Sequence, residues 1–191
     1  MKVAEVFRRI TAALEQAGIP YMVTGSFASA YHGAPRTTQD IDFVIEATPA
    51  QLQAFVRLLP ASDYYVDLAA ALQAHKRQSM FNVVDMATGW KIDLIVRRSR
   101  AFSEEEFRRR KRVQIEDIPL FVASAEDVVI SKLEWAKLAH SPRQIEDAAG
   151  ILKMHSKALD RAYVEKWVLE LGLAVEWKAA RLVAEVPSEQ A

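Results

Sequence analysis

Apolar and polar positions recur along this chain with two different periods, and the change of period divides it. In residues 2–17, Val3, Val6, Phe7, Ile10, Ala13, Leu14 and Ala17 recur at helical spacing, and Gly18 follows as a C-cap. Ile19 to Thr24 is a short apolar run that predicts a buried strand. Gly25 breaks it, and Ser26 is a good N-cap for the short helical segment FASAYH, which Gly33-Ala-Pro35 ends. Asp40 to Glu46 predicts a second strand. Thr48-Pro49 opens a helix through Leu59 with Pro at N1, and residues 66–75 predict another short helix. SMFNVVD and WKIDLIV predict the strands of a hairpin from Ser79 to Val96, with MATG as the turn. Residues 103–111 read as a charged helix. Val113–Ile115 and Leu120–Val122 read as short strands around Asp117-Ile-Pro119.

From Ser124 onward the period is helical throughout. Ser124-Ala-Glu126-Asp127 has the form of a helix start, and helices are expected near 125–139, 142–154, 160–171 and 174–185. The closing PSEQA reads as frayed. These elements predict an α/β fold: a small mixed sheet with flanking helices in residues 1–122, followed by a C-terminal helical segment in residues 123–191. No internal repeat or low-complexity segment interrupts the pattern.

Composition narrows the class of protein. At 191 residues and 51% hydrophobic content, the chain can bury a sizeable core. Lys plus Arg and Asp plus Glu both number 25, so bulk charge does not mark a nucleic-acid binder. Cysteine is absent, which excludes disulfides and thiolate metal sites, and the 4 His residues lack zinc-ligand spacing. The N-terminal stretch lacks an uninterrupted apolar region of the signal-peptide kind, and no apolar run is long enough to span a bilayer. A cytoplasmic protein without membrane contact is expected.

Candidate chemistry centres on Asp40-Ile-Asp42. On a strand, positions i and i+2 share a face, so burying Ile41 and Phe43 presents both carboxylates on the opposite side. Two adjacent carboxylates repel, and both stay ionised only with a cation beside them. Mg²⁺ prefers oxygen ligands of this kind and usually keeps phosphate oxygens in its shell. A phosphate-suited turn, Gly25-Ser26, lies upstream: glycine permits close backbone approach, and free N–H groups gather where a helix begins. Arg36 lies in the intervening loop, either neutralising phosphate or simply solvated. Asp93 interrupts an otherwise apolar strand, where a buried carboxylate needs a partner. If its strand neighbours that of Asp40 and Asp42, three carboxylates converge. Such a set suits two-metal phosphoryl transfer, with Asp93 available to help bind the second ion and accept a proton. Outward-facing positions on ordinary strands are the alternative for each acid.

The order Val23-Thr24-Gly25-Ser26, a spacer of 13 residues, Asp40-Ile41-Asp42-Phe43 and then Asp93 resembles the DNA polymerase β-like nucleotidyltransferase superfamily. Within it, the chain looks most like small bacterial members related to abortive-infection-type toxin nucleotidyltransferases. Those carry a Lys, then an Arg and an Asp, in their helical segment, matched here by Lys132, Arg143 and Asp147. The resemblance implies a nucleotidyltransferase sheet and Mg²⁺-dependent transfer of a nucleoside monophosphate from an NTP such as ATP to a hydroxyl acceptor. It implies that Gly25 and Ser26 contact the phosphates, that Asp40 and Asp42 bind Mg²⁺ and that Asp93 completes the catalytic site. Two ions are expected. Lys132 would then reach the triphosphate, and Asp147 would position Lys132 or Arg143. A surface i,i+4 pair between Arg143 and Asp147 is the plainer alternative.

The acceptor is left open among RNA, protein and small molecules, with the toxin-like resemblance favouring RNA or protein. The rival class is a non-catalytic nucleotide- or RNA-binding module of the same fold, or a toxin–antitoxin component restrained by a protein partner. Arg97, Arg98, Arg100 and Arg108 to Arg112 form a locally basic stretch, but Glu104 to Glu106 favour a solvated helical face over an RNA surface. Tyr64, Tyr65 and Trp90 are read as core aromatics in preference to base-stacking platforms.

Overall fold

A computed structural model describes residues 3–115, 117–156 and 158–185. The closing PSEQA lies outside them. Contacts divide the chain into two compact units. The first runs to Ser26 and resumes from Thr37 to Ala123; the second takes Phe27–Arg36 and the described residues from Ser124 onward.

The first unit is built on a mixed sheet of seven strands, counted among the described residues: β1 (Tyr21–Val23), β2 (Asp40–Ile45), β3 (Tyr64–Val66), β4 (Met80–Asp85), β5 (Lys91–Val96), β6 (Lys111–Ile115) and β7 (Ile118–Val122). Their order is β3-β4-β5-β2-β1-β7-β6. The pairs β2–β5 and β1–β7 are parallel and the others antiparallel. The helices α1 (Val3–Gln16), α3 (Pro49–Leu58), α4 (Leu68–Arg77) and α5 (Ala101–Arg108) belong to this unit.

Strand alternation gives the sheet one apolar face. Ile41, Phe43 and Ile45 of β2, Ile92, Leu94 and Val96 of β5, and Phe81 and Val83 of β4 are buried on it. Phe7 of α1 meets Phe43 edge-on at 5.9 Å between ring centroids, and Tyr21 meets the same ring at 5.6 Å. Each such buried aromatic or aliphatic side chain contributes about 1.5–3 kcal/mol. Asp85 of β4 also lies on this face and is fully buried. Arg9 of α1 donates to its Oδ2 at 2.5 Å, and its Oδ1 accepts the backbone N–H groups of Ala87 and Thr88, which ties down the β4–β5 turn. Gly89 completes that turn at φ +73°.

Most expected elements occur within a residue or two. Thr48 caps α3 through a reciprocal pair with Gln51, with Pro49 at the first turn. Two expectations need correction. The helix α2 covers Gly25–Tyr31, so Ser26 lies within its first turn instead of ahead of it. The left-handed φ of Gly25 (+61°) turns the chain into the helix one residue early. The region expected as a helix over 66–75 begins as the edge strand β3, paired to β4, and the helix starts at Leu68 behind an Asp67 cap. Alternation over three residues is too short to compete with the helical period that follows it. Of the two aromatics there, Tyr64 is core and Tyr65 is exposed.

The second unit contains α6 (Ala125–Ala139), α7 (Pro142–Met154), α8 (Arg161–Glu170) and α9 (Ala174–Glu185). Val128, Val129, Ile130, Leu133 and Ala136 make α6 its central helix, packed on α7, α8 and α9. Ser124 caps α6, and the buried Asp127 carboxylate accepts from Ser124 at 2.5 Å and from the Tyr163 hydroxyl at 2.6 Å. The segment Phe27–Arg36 lies against α7: a Cβ on Gly33 would stand 2.6 Å from Met154 Cγ, and one on Gly150 would stand 3.0 Å from Ala34 Cβ. Among the described residues no helix is long and apolar enough to cross a membrane.

Candidate functional site

The β2–β5 pairing determines what faces Asp40 and Asp42. The strands are parallel and in register, Asp40 beside Lys91 and Asp42 beside Asp93. Paired residues of neighbouring strands point to the same side, so Asp40, Asp42, Lys91 and Asp93 share the face opposite the apolar core. The antiparallel pairing of β4 adds Asn82 beside Asp93. Asp40 is exposed, Asp42 half-buried and Asp93 buried.

Both oxygens of Asp93 are engaged. Asn82 Nδ2 donates to Oδ1, and Lys91 Nζ donates to Oδ2 at 2.9 Å. The buried carboxylate therefore has the partners its position demands. Its cation is more accessible: the Lys91 side chain is 42% exposed against 10% for Asp93. The Lys91 ammonium is held above the ordinary lysine value, first by its hydrogen bond to Asp93. Partial burial opposes this, and the charges of Asp93, Asp40 and Asp42 reinforce it.

The turn joining β1 to α2 closes on the same acids. Thr24 N–H donates to the Asp42 carbonyl at 3.0 Å. At Gly25 a Cβ would stand 2.0 Å from Asp42 Oδ2 and 2.6 Å from Cγ, so the missing side chain is space that the Asp42 carboxylate uses. The left-handed φ independently penalises other residues there. Ser26 is buried. Thr38 steadies the entry to β2, its hydroxyl accepting the Asp40 N–H at 3.2 Å.

Carboxylate oxygens are the donors a hard divalent cation prefers, so the acids on this face fit Mg²⁺ in kind. Their present arrangement is not that of a formed site. Among the described residues no three His, Asp or Glu side chains are grouped so that they could hold a metal ion. The charge standing among them is the Lys91 ammonium.

Arg36 and Lys132, the two cations expected to meet the triphosphate, belong to the second unit and converge there on Asp147. Lys132 Nζ lies 2.7 Å and Arg36 Nε 3.2 Å from Asp147 Oδ2. The Lys132 and Asp147 side chains are 5% and 9% exposed. Asp147 thus takes partners distant in sequence. In the basic stretch, Arg97 is paired with Glu46 and Glu104, and Arg108 with Glu105, while Glu106 is buried and does not belong to the solvated face expected of Glu104 to Glu106.

Lys91 and Asn82 are the residues that inspection of the sequence left without a role. Lys91 carried a legible signal, since it stands two residues before Asp93 on the same strand face. Asn82 carried none until the hairpin register was known.

No family model matches the chain, and no curated protein matches it. Solved structures do. The antibiotic-resistance factor ANT(2'')-Ia is 15% identical with a TM-score of 0.54, covering 95% of this chain and 96% of its own. A nucleotidyltransferase-like protein from Paracoccidioides brasiliensis is 16% identical with a TM-score of 0.52, covering 91% of each. The lincosamide antibiotic adenylyltransferase LnuA, solved with lincomycin bound, is 13% identical with a TM-score of 0.52, covering 81% of this chain and 98% of its own. The seven-stranded mixed sheet with its flanking helices and C-terminal helical region is therefore a nucleotidyltransferase fold.

Proposed function

We propose that this chain moves a nucleoside monophosphate from an NTP to a hydroxyl acceptor and releases pyrophosphate. One observation carries the reading: Asp42 and Asp93 are register partners on one sheet face, with Asp40 two residues before Asp42, within a nucleotidyltransferase fold. Asp40, Asp42 and Asp93 would together hold Mg²⁺, in two positions, through carboxylate oxygens. Bound there, Mg²⁺ neutralises charge on the phosphoryl oxygens and makes the acceptor hydroxyl more acidic. Gly25 and Ser26 offer backbone N–H groups and a hydroxyl to the phosphates. Asp93 Oδ2 takes the proton of the acceptor hydroxyl. The acceptor oxygen bonds to the α-phosphorus, the bond from that phosphorus to its bridging oxygen breaks, and pyrophosphate leaves.

The acceptor classes are RNA, protein and a polyhydroxylated small molecule. The toxin-like spacing of Lys132, Arg143 and Asp147 supports the first two; two fold relatives, an antibiotic-resistance factor and a lincosamide antibiotic adenylyltransferase, support the third. Incubation with each labelled NTP and Mg²⁺, offering total RNA, lysate protein or an aminoglycoside and lincosamide panel, tests the reading. Label should enter one fraction, and Asp40→Asn plus Asp42→Asn should lower the rate about 10³-fold, equivalent to about 4 kcal/mol. Unchanged labelling in that double variant overturns it. A non-catalytic nucleotide-binding module is favoured by the engagement of both Asp93 oxygens. Nucleotide binding without labelling of any fraction would select that alternative.

A further inference from the structure

Two carboxylates side by side need a cation, and three need one more urgently. On this face the cation is supplied by the chain itself. We infer that Lys91 is a tethered counter-ion of the Asp40–Asp42–Asp93 face and must leave Asp93 before a divalent cation can bind there. This rests on the nucleotidyltransferase reading and adds to it a positioning residue and an order of events.

Three observations carry the inference. Lys91 Nζ sits on Asp93 Oδ2 at 2.9 Å, on the oxygen proposed to take the proton. Its own register partner is Asp40, so the ammonium stands on a strand face flanked by acids. With 42% of its side chain exposed, Lys91 can swing into water without exposing apolar core. Asp93 is not left bare by that movement, because Asn82 still donates to Oδ1.

The consequence is conditional metal binding. A bare divalent cation has to displace a bonded ammonium and then stand near it, a repulsion that water screens only in part. A metal arriving with a triphosphate brings negative charge onto which the freed ammonium can settle. Lys91 thus disfavours idle metal occupancy and favours the metal–nucleotide pair.

The test is Mn²⁺ alone, titrated against the nucleotide-free full chain and read by the electron paramagnetic resonance signal of free Mn²⁺. Lys91→Met should bind Mn²⁺ about tenfold more tightly than the unaltered chain, the size of a partly screened charge interaction. Lys91→Arg, which keeps the charge, should stay close to the unaltered chain. The thermal midpoint in EDTA reports on the chain without metal: Lys91→Met should melt lower there and gain more from added Mn²⁺. Equal Mn²⁺ affinity in the unaltered chain and Lys91→Met overturns the inference while leaving the nucleotidyltransferase reading intact. Weaker binding by Lys91→Met also overturns it, because Lys91 would then be supporting the metal. Absence of Mn²⁺ binding in every variant, with or without ATP, overturns both.

Discussion

Two carboxylate–lysine pairs in this molecule have nearly the same bond length and opposite surroundings. Asp93–Lys91 is closed at 2.9 Å on the first unit's sheet with a cation 42% exposed. Asp147–Lys132 is closed at 2.7 Å inside the second unit with a cation 5% exposed, and Arg36 adds a second positive group. A buried pair resists removal of one partner, because the survivor is a desolvated charge with nothing to offset it. An accessible pair exchanges its cation at little cost, because water receives what is released. Bond length therefore does not distinguish a structural pair from an exchangeable one. Burial of the cation does.

The largest expected effect lies at the buried pair. Asp147→Ala leaves Lys132 buried without its carboxylate and should destabilise the protein by about 3–5 kcal/mol, read from denaturant unfolding. Lys132→Met combined with Asp147→Leu removes both charges at similar volume and should recover most of that loss. If the single and double variants unfold alike, packing and not charge holds the site, and the contrast with Asp93–Lys91 breaks.

Gly25→Ala comes next. Its Cβ would meet Asp42 Oδ2 at 2.0 Å, and its left-handed backbone penalises any side chain, so a loss of about 1–3 kcal/mol is expected. Asp42 must also move, so nucleotide transfer should fall further than stability alone explains. Comparing unfolding midpoints with transfer rates on the folded fraction separates the two effects.

Lys91→Met removes an accessible cation but leaves the buried Asp93 carboxylate with Asn82 alone, so a loss of about 1–2 kcal/mol is expected in metal-free buffer, below that of Asp147→Ala. A loss as large as that of Asp147→Ala would put both pairs in the same class. The smallest effect concerns the buried Tyr21 phenol. Burial first, then the charge of Glu15, pushes the Tyr21 phenol up to about 12 from its ordinary 10.0. A raised folded-state value means that this contribution to stability is complete below pH 10 and is lost as pH rises through 12. Ultraviolet difference titration of Tyr21→Phe against the unaltered chain should show one late-ionising phenol missing.

Much of the fold was legible along the chain because periodicity reports burial directly. The hairpin from Ser79 to Val96, the capped helix after Thr48 and the four C-terminal helices all announce themselves by spacing and punctuation. The edge strand Tyr64–Val66 did not, since three residues are too few to establish alternation before the helix behind Asp67 begins. The shared face of Asp40 and Asp42 follows from local geometry alone. The pairing of Asp42 with Asp93 does not, because strand neighbours are chosen by the whole sheet.

The residues Phe27–Arg36 show the same limit in another form. Nothing in that short stretch points to α7, yet Gly33 meets Met154 and Arg36 meets Asp147 there. The acids, the glycine turn, the sheet-then-helices order and the lack of cysteine chemistry are legible along the chain, since they depend on residue type and local period. Tertiary structure alone decided which charges meet. It set Lys91 on Asp93, Asn82 on the same carboxylate, and Lys132 with Arg36 on Asp147. The physical reason is that an ion pair depends on distance and desolvation, and both come from long-range packing that local spacing does not encode.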